Sequence, residues 1–234
     1  MLKRIATLAV LTILPVLAFA QNLAGVDIPY EKHVLDNGLT VLIHVDRSAP
    51  QAFVNVYYKV GSRDEVEGKT GFAHLFEHLM FNGTENYDDE FFAAIQDVGG
   101  SLNGDTWLDR TRYYQTVPNT ALERVLWLES ERMGHLLGAV TQEKLDQQRG
   151  VVQNEKRRAE NRPYALVWER LSAGLFPKGH PYSWSTIGSM EDLNNATIED
   201  VHDWFRRYYG AANAILTVAG DIDPAEALEL VKLH

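Results

Sequence analysis

The sequence predicts an α+β domain, a largely antiparallel sheet covered by helices. Three observations predict it. The tight-turn signal Asp36-Asn37-Gly38 separates two short strand-like runs. A stretch of strict alternation follows, with Val54, Val56, Tyr58 and Val60 on one face and Asn55 and Lys59 on the other. Segments of helical period are then interleaved with strand-like ones, with no internal repeat and no low-complexity stretch. The 234 residues, 45% hydrophobic and 23% charged, suffice for one large domain with a sizeable core.

The first twenty residues stand apart. Lys3 and Arg4 precede an uncharged apolar run, Ile5 to Leu17, and Ala18-Phe19-Ala20 then places small residues at cleavage spacing. This is the pattern of a secretory signal peptide cut after Ala20. The run is shorter than the ~20 residues a spanning helix needs, so no stable membrane anchor is expected. A periplasmic or secreted location follows, and the domain proper occupies residues 21–234.

The elements follow in order. His33 to Asp46 reads as a hairpin, with Leu39 to Ile43 as its return strand, and Phe53 to Val60 is a third strand. Gly71 to Phe81 is helical and is stopped by Asn82-Gly83; Asp88 to Val98 is helical and is stopped by Gly99-Gly100. Ser101 to Val117 holds two strands around Asp109. Helices run from Asn119 to about Leu137 and from Thr141 to the break before Pro163. Tyr164 to Leu175 is a short helix, and Pro177 to Ser189 is loop. Thr197 caps a helix reaching Tyr209, with Asp200 at its third position. Ala214 to Ala219 is a strand, and Pro224 opens a last helix. The sequence stops at His234 without a capping glycine, so a fragment of a longer protein is expected.

Charge and composition narrow the chemistry. A formal net charge of -10 with no Lys/Arg-rich run argues against a nucleic-acid partner, because phosphate binding needs a basic surface. Cysteine is absent, which excludes disulfides and thiolate ligands. Any metal must therefore be held by His, Asp or Glu.

One segment offers that chemistry: His74-Leu75-Phe76-Glu77-His78. Positions i, i+3 and i+4 of a helix share a face, so His74, Glu77 and His78 project together. Two imidazoles one turn apart can grip one divalent ion, and the carboxylate beside them can reach a water on it. This is the zinc-protease arrangement in inverted order, His-x-x-Glu-His. The alternative is a surface helix with two solvated histidines. Phe72, Leu75, Phe76 and Leu79 argue against it, since they form an apolar side that must dock on a core.

A hydrolytic zinc site needs a third protein ligand and one open position. Glu155 is the candidate by pattern. Leu145, Gln148, Val152, Glu155 and Ala159 fall on one stripe of the Thr141–Glu160 helix, and a carboxylate on such a stripe is costly unless paired or bound to metal. Pairing with Lys156 or Arg158 explains the residue equally well, and pattern leaves both readings open.

These residues together resemble the pitrilysin/insulinase metallopeptidases, the family that includes the mitochondrial processing peptidases. The resemblance rests on His74 to His78 and on Val151-Val152-Gln153-Asn154-Glu155-Lys156-Arg157, which looks like the family's second motif. It extends to Leu35-Asp36-Asn37-Gly38-Leu39, Gly61-Ser62-Arg63-Asp64-Glu65 and Gly71-Phe72-Ala73-His74, and covers the chain from about Tyr30 onward. It implies a zinc-dependent endopeptidase domain of the processing-peptidase type. His74, His78 and Glu155 would hold Zn2+, and Glu77 would be the general base.

Leu102-Asn103-Gly104-Asp105-Thr106 is similar to a strand that lies beside substrate in the family, which makes Asn103 a candidate peptide contact; a turn asparagine is the alternative. Gln148 stands where the family often has a glutamate, so a charge is lost at that position. The resemblance further implies a peptide or unfolded-protein substrate and a homologous C-terminal domain or partner subunit. Weak activity is therefore expected of the isolated chain. Three alternatives remain: a non-catalytic subunit supporting an active partner, a zinc- or peptide-binding module without turnover, and an S-ribosylhomocysteine lyase. The lyase shares His-x-x-Glu-His but needs a cysteine that this chain lacks.

Overall fold

A computed structural model describes residues 27–234; the leader expected over residues 1–20 lies outside the described residues. Six strands form one sheet: β1 (Glu31–Val34), β2 (Thr40–Val45), β3 (Gln51–Tyr58), β4 (Ser101–Thr106), β5 (Thr111–Pro118) and β6 (Ala214–Gly220). Their order is β1-β2-β6-β3-β5-β4, so among the described residues β4 is an edge strand that pairs only with β5. Every pairing is antiparallel except β2 with β6, as the sequence led us to expect for most of the sheet. The helices are α1 (Phe72–Leu79), α2 (Phe91–Gln96), α3 (Leu122–Gly134), α4 (Gln142–Glu160), α5 (Val167–Leu175), α6 (Met190–Asn194), α7 (Ile198–Tyr208) and α8 (Pro224–Leu233).

One face of the sheet carries the core. Val54, Val56 and Tyr58 of β3 are buried there with Tyr113 and Val117 of β5 and Leu216 and Val218 of β6. The helix bearing the histidines docks on this face. Phe72, Leu75, Phe76 and Leu79 of α1 are all buried in the same cluster. The ring of Phe76 lies 4.5 Å from that of Tyr209, which in turn lies 4.4 Å from Tyr58. Phe72 meets Trp204 of α7 edge-on at 5.4 Å. Each such burial contributes on the order of 1.5–3 kcal/mol, so α1 is seated by its apolar side and turns the other outward.

The details that differ from expectation have local causes. The β1–β2 connection is a five-residue loop, Leu35 to Leu39, in which only Gly38 has positive φ (87°); a two-residue hairpin turn of this class needs two such residues. Helix α2 begins at Phe91 rather than Asp88. Helix α5 begins at Val167 because Tyr164 sits in the left-handed region (φ 63°), which interrupts a helix. The Pro177–Ser189 stretch is irregular apart from one 3-10 turn, and α6 follows it unannounced. Five residues are too few to show a period. The Ser189 hydroxyl caps α6 by accepting from the Asp192 amide (3.0 Å). Elsewhere the caps agree with the sequence: Thr141 accepts from the Lys144 amide, and Thr197 and Asp200 form a capping box.

Candidate metal centre

Helix α1 opens in an unusual way. Its first position is preceded by Gly71 at φ 83°, which has no side chain to cap the free amides. The carboxylate of Glu65 does so instead. Its Oε1 accepts from the Ala73 amide (2.8 Å), and its Oε2 accepts from the Gly71 amide (3.1 Å) and from Trp184 Nε1 (3.0 Å). Burial nevertheless pushes this carboxyl up to about 8, against the N–H bonds that favour its charged form.

On the outward side of α1, His74 and His78 stand with ring centroids 4.9 Å apart and planes nearly perpendicular. Their side chains are 19% exposed. Glu155 of α4 comes to meet them. Its Oε2 lies 3.6 Å from His74 Nε2 and 3.5 Å from His78 Nε2. One ligand atom from each of the three residues lies within 4.8 Å of the others. The competing ion pairs do not form with Glu155: Lys156 pairs with Glu160 (3.0 Å) and Glu169 (3.8 Å). The expected apolar stripe of α4 is only partly realised, since Leu145 and Val152 are buried but Ala159 is exposed.

Glu77 is buried beside this cluster. Thr106 Oγ1 of β4 donates to its Oε2 at 2.5 Å. Gly104, on the same strand, lets the backbone approach; a Cβ there would sit 2.9 Å from the Phe81 ring and 3.2 Å from Glu77 Oε1. Burial raises the Glu77 carboxyl to about 7, helped by the charge of Glu155 and opposed by the Thr106 bond and Arg110. His74 is driven the other way, down to about 4, by burial first and then by His78. At neutral pH His74 is therefore an uncharged imidazole, the form that binds metal.

A cleft of about 380 Å³ opens over these groups. Asn103 lies on its β4 wall, exposed, with its Oδ1 accepting from the neighbouring Gly104 amide (2.9 Å). Gln148 lines the cleft too and donates through Nε2 to Asn82 Oδ1 (3.1 Å); Asn82 Nδ2 donates to the His78 carbonyl (3.1 Å). The amide at 148 thus supports the carbonyl of a candidate ligand residue without bringing charge.

The donor set fits zinc. Two imidazole nitrogens and a carboxylate oxygen are ligands zinc accepts, and bonds of ~2.0–2.1 Å in a tetrahedron put neighbouring ligand atoms roughly 3.3 Å apart, close to the spacings seen. His74 Nδ1 is buried without a partner, which leaves Nε2, the nitrogen facing Glu155, as the ring's working atom. The segments Leu102–Thr106 and Gly61–Glu65 figure in the sequence resemblance, but nothing there gave Thr106, Gly104 or Glu65 a role at this site, because each meets it through tertiary contact rather than periodicity.

Comparison with known proteins adds independent information. Residues 40–187 match the family profile described as Insulinase (Peptidase family M16), and residues 195–234 match one described as Peptidase M16 inactive domain. The zinc protease PqqE of Helicobacter pylori is 36% identical over 208 residues, covering 88% of this chain and 46% of that protein. The crystal structure of a protease from Helicobacter pylori superposes with a TM-score of 0.82 at 36% identity, over 88% of this chain and 50% of the other. That of the periplasmic protease PqqL from Escherichia coli gives 0.79 at 26% identity, over 88% and 23%. The chain spans less than half the length of the curated relatives it matches.

Proposed function

The chain belongs to the insulinase family, peptidase family M16, and on that premise we propose that it is the zinc-binding catalytic domain of an endopeptidase. His74, His78 and Glu155 hold Zn2+ and Glu77 is the general base. The observation that carries this reading is the convergence of those three side chains from two helices beside a buried carboxyl group. Bound zinc supplies Lewis acidity to the scissile carbonyl and lowers the pKa of water toward ~7.

The chain's own residues do the rest. Thr106 holds one oxygen of Glu77, which leaves Oε1 to take the proton of the attacking water and return it to the departing amine. The peptide substrate lies extended along β4, whose outer edge is unpaired among the described residues, with Asn103 as a backbone contact. A homologous C-terminal domain or partner subunit completes the substrate chamber, in keeping with relatives of which this chain covers 46% and 44%. The leader at residues 1–20 delivers the protein to the periplasm or beyond, as the location in the name of the Escherichia coli relative suggests.

The test is Glu77→Gln, assayed with a quenched-fluorescence peptide in the longest natural chain that contains this domain. Zinc content should be unchanged and kcat should drop by at least ~100-fold. A variant that cleaves as fast as the parent removes Glu77 from the mechanism.

A further inference from the structure

Two of the proposed ligands lie one turn apart on α1 and are spaced by the helix itself. The third is on α4, so its distance depends on how α1 and α4 are held together. Apolar packing does little of that work. Over its whole length α4 buries Leu145, Val152 and Lys156, and the rest of its side chains are exposed or half-buried. Something else must set its position.

The segment 184–196 touches both helices. At one end it is fastened to the start of α1. Trp184 donates to Glu65, the carboxylate that caps α1. Asp192 Oδ2 accepts from the Thr70 amide (2.9 Å) and hydroxyl (2.5 Å), and the Ser189 amide donates back to Thr70 Oγ1 (3.0 Å). Between these bonds Gly188 and Gly71 cross so closely that a Cβ on Gly188 would meet Gly71 N at 2.3 Å, and one on Gly71 would meet the Ile187 carbonyl at 2.4 Å. At the other end the segment is fastened to α4. Arg149 donates through Nε to the Leu193 carbonyl (2.9 Å) and through a terminal nitrogen to the Ala196 carbonyl (2.6 Å). Gln153 Nε2 donates to Asn194 Oδ1 (2.7 Å). Arg149 lies six positions before Glu155 on the same helix.

We propose that the segment 184–196 is a bracket that fixes the separation of the two ligand-bearing helices, with Arg149 and Asp192 as positioning residues for Glu155. This rests on the metal-site reading above. Its physical content is that a third ligand on a loosely packed helix loses affinity through the freedom of that helix, and the paired carbonyl bonds to Arg149 remove that freedom. Groups that orient ligands in this way are typically worth about 10- to 100-fold in metal affinity.

The test is a double-mutant cycle on this chain, with zinc affinity measured by competition against a chromophoric chelator. Arg149→Met keeps the aliphatic stem and removes the bonds to both carbonyls. We expect it to weaken zinc about 10-fold, and to have less than about a 2-fold effect in a Glu155→Ala background, because the bracket acts through Glu155. Equal losses in both backgrounds, or no loss in either, overturn the proposal. Arg149→Lys, which keeps the charge and can reach one carbonyl, should fall between. Amide hydrogen exchange on the metal-free chain gives a readout independent of zinc. Arg149→Met should speed exchange across residues 150–160 and Asp192→Ala across residues 70–74, and unchanged exchange in both refutes the bracket. A parent chain that binds no zinc would refute the metal site, and the exchange result would then decide the bracket alone.

Discussion

Glu77 combines two demands in one carboxyl group. It must be ionised to accept a proton, yet burial raises it to about 7. A base with a raised pKa is active above that value and silenced below it. In the metal-free chain Glu77 should titrate near 7, and zinc bound beside it should lower that value. On a peptide substrate kcat/KM should fall as pH drops through the lowered value, and the same acid limb in Glu77→Gln would rule out Glu77 as the titrating base. Thr106 shifts this limb. Its hydroxyl bond stabilises the ionised form, so Thr106→Val should raise the Glu77 pKa and move the acid limb to higher pH, with zinc content unchanged. An unmoved limb would show that the 2.5 Å contact does not govern the base. The spacing of His74, Glu77 and His78 was legible in the sequence because a helix is local: three positions on one face need no knowledge of the fold. Thr106 was not, since its partner lies 29 positions away and only the docking of β4 beside α1 joins them.

Helix α1 shows how elements, rather than residues, build the site. Its apolar side was readable from Phe72, Leu75, Phe76 and Leu79, and its start at Phe72 falls one residue from the expected Gly71; its end at Leu79 comes before the expected stop at Asn82-Gly83. Its cap was not readable. Gly71 in the left-handed region cannot cap, and the cap arrives from Glu65 through a turn of the chain that carries no periodic signal. Glu65→Ala would leave the amides of Gly71 and Ala73 and the indole of Trp184 without an acceptor. It should destabilise the metal-free chain by about 1–3 kcal/mol in thermal or urea melts. The penalty has a pH signature. The Glu65 carboxyl is raised in the folded state, so that state holds a proton which the unfolded chain releases above its ordinary pKa of 4.5. The stability Glu65 contributes is then complete below about 4.5 and declines as pH rises toward 8. The gap between parent and variant should narrow over that window; a gap that widens would mean the amide bonds, not burial, dominate this carboxyl.

At the scale of the whole molecule, the fold class was readable from alternation and turn signals, and the sheet is mostly antiparallel as those signals require. The parallel pairing of β2 with β6 was not, because Thr40 and Ile215 are joined only by the closure of the whole chain. Glu155 belongs to the same scale. Its pattern on α4 was ambiguous, and its meeting with two histidines 77 and 81 positions earlier depends on how α4 docks. The edge strand β4 and its neighbouring cleft stand open, and the chain covers 46% of its Helicobacter pylori relative. On the proposed function, residues 21–234 alone should bind zinc but hydrolyse peptides weakly, with activity rising when a homologous C-terminal domain is supplied. Robust turnover by the isolated domain would show that the site needs no second part.

The central claim is that His74, His78 and Glu155 form one zinc site, and the most direct measurement is zinc content per chain after dialysis against buffered metal. The parent should hold close to one equivalent, His74→Ala and His78→Ala should lose it, and Glu155→Ala should be weakened by at least about 10-fold in affinity. A parent chain that keeps no zinc, or variants that keep as much as the parent, would contradict that claim.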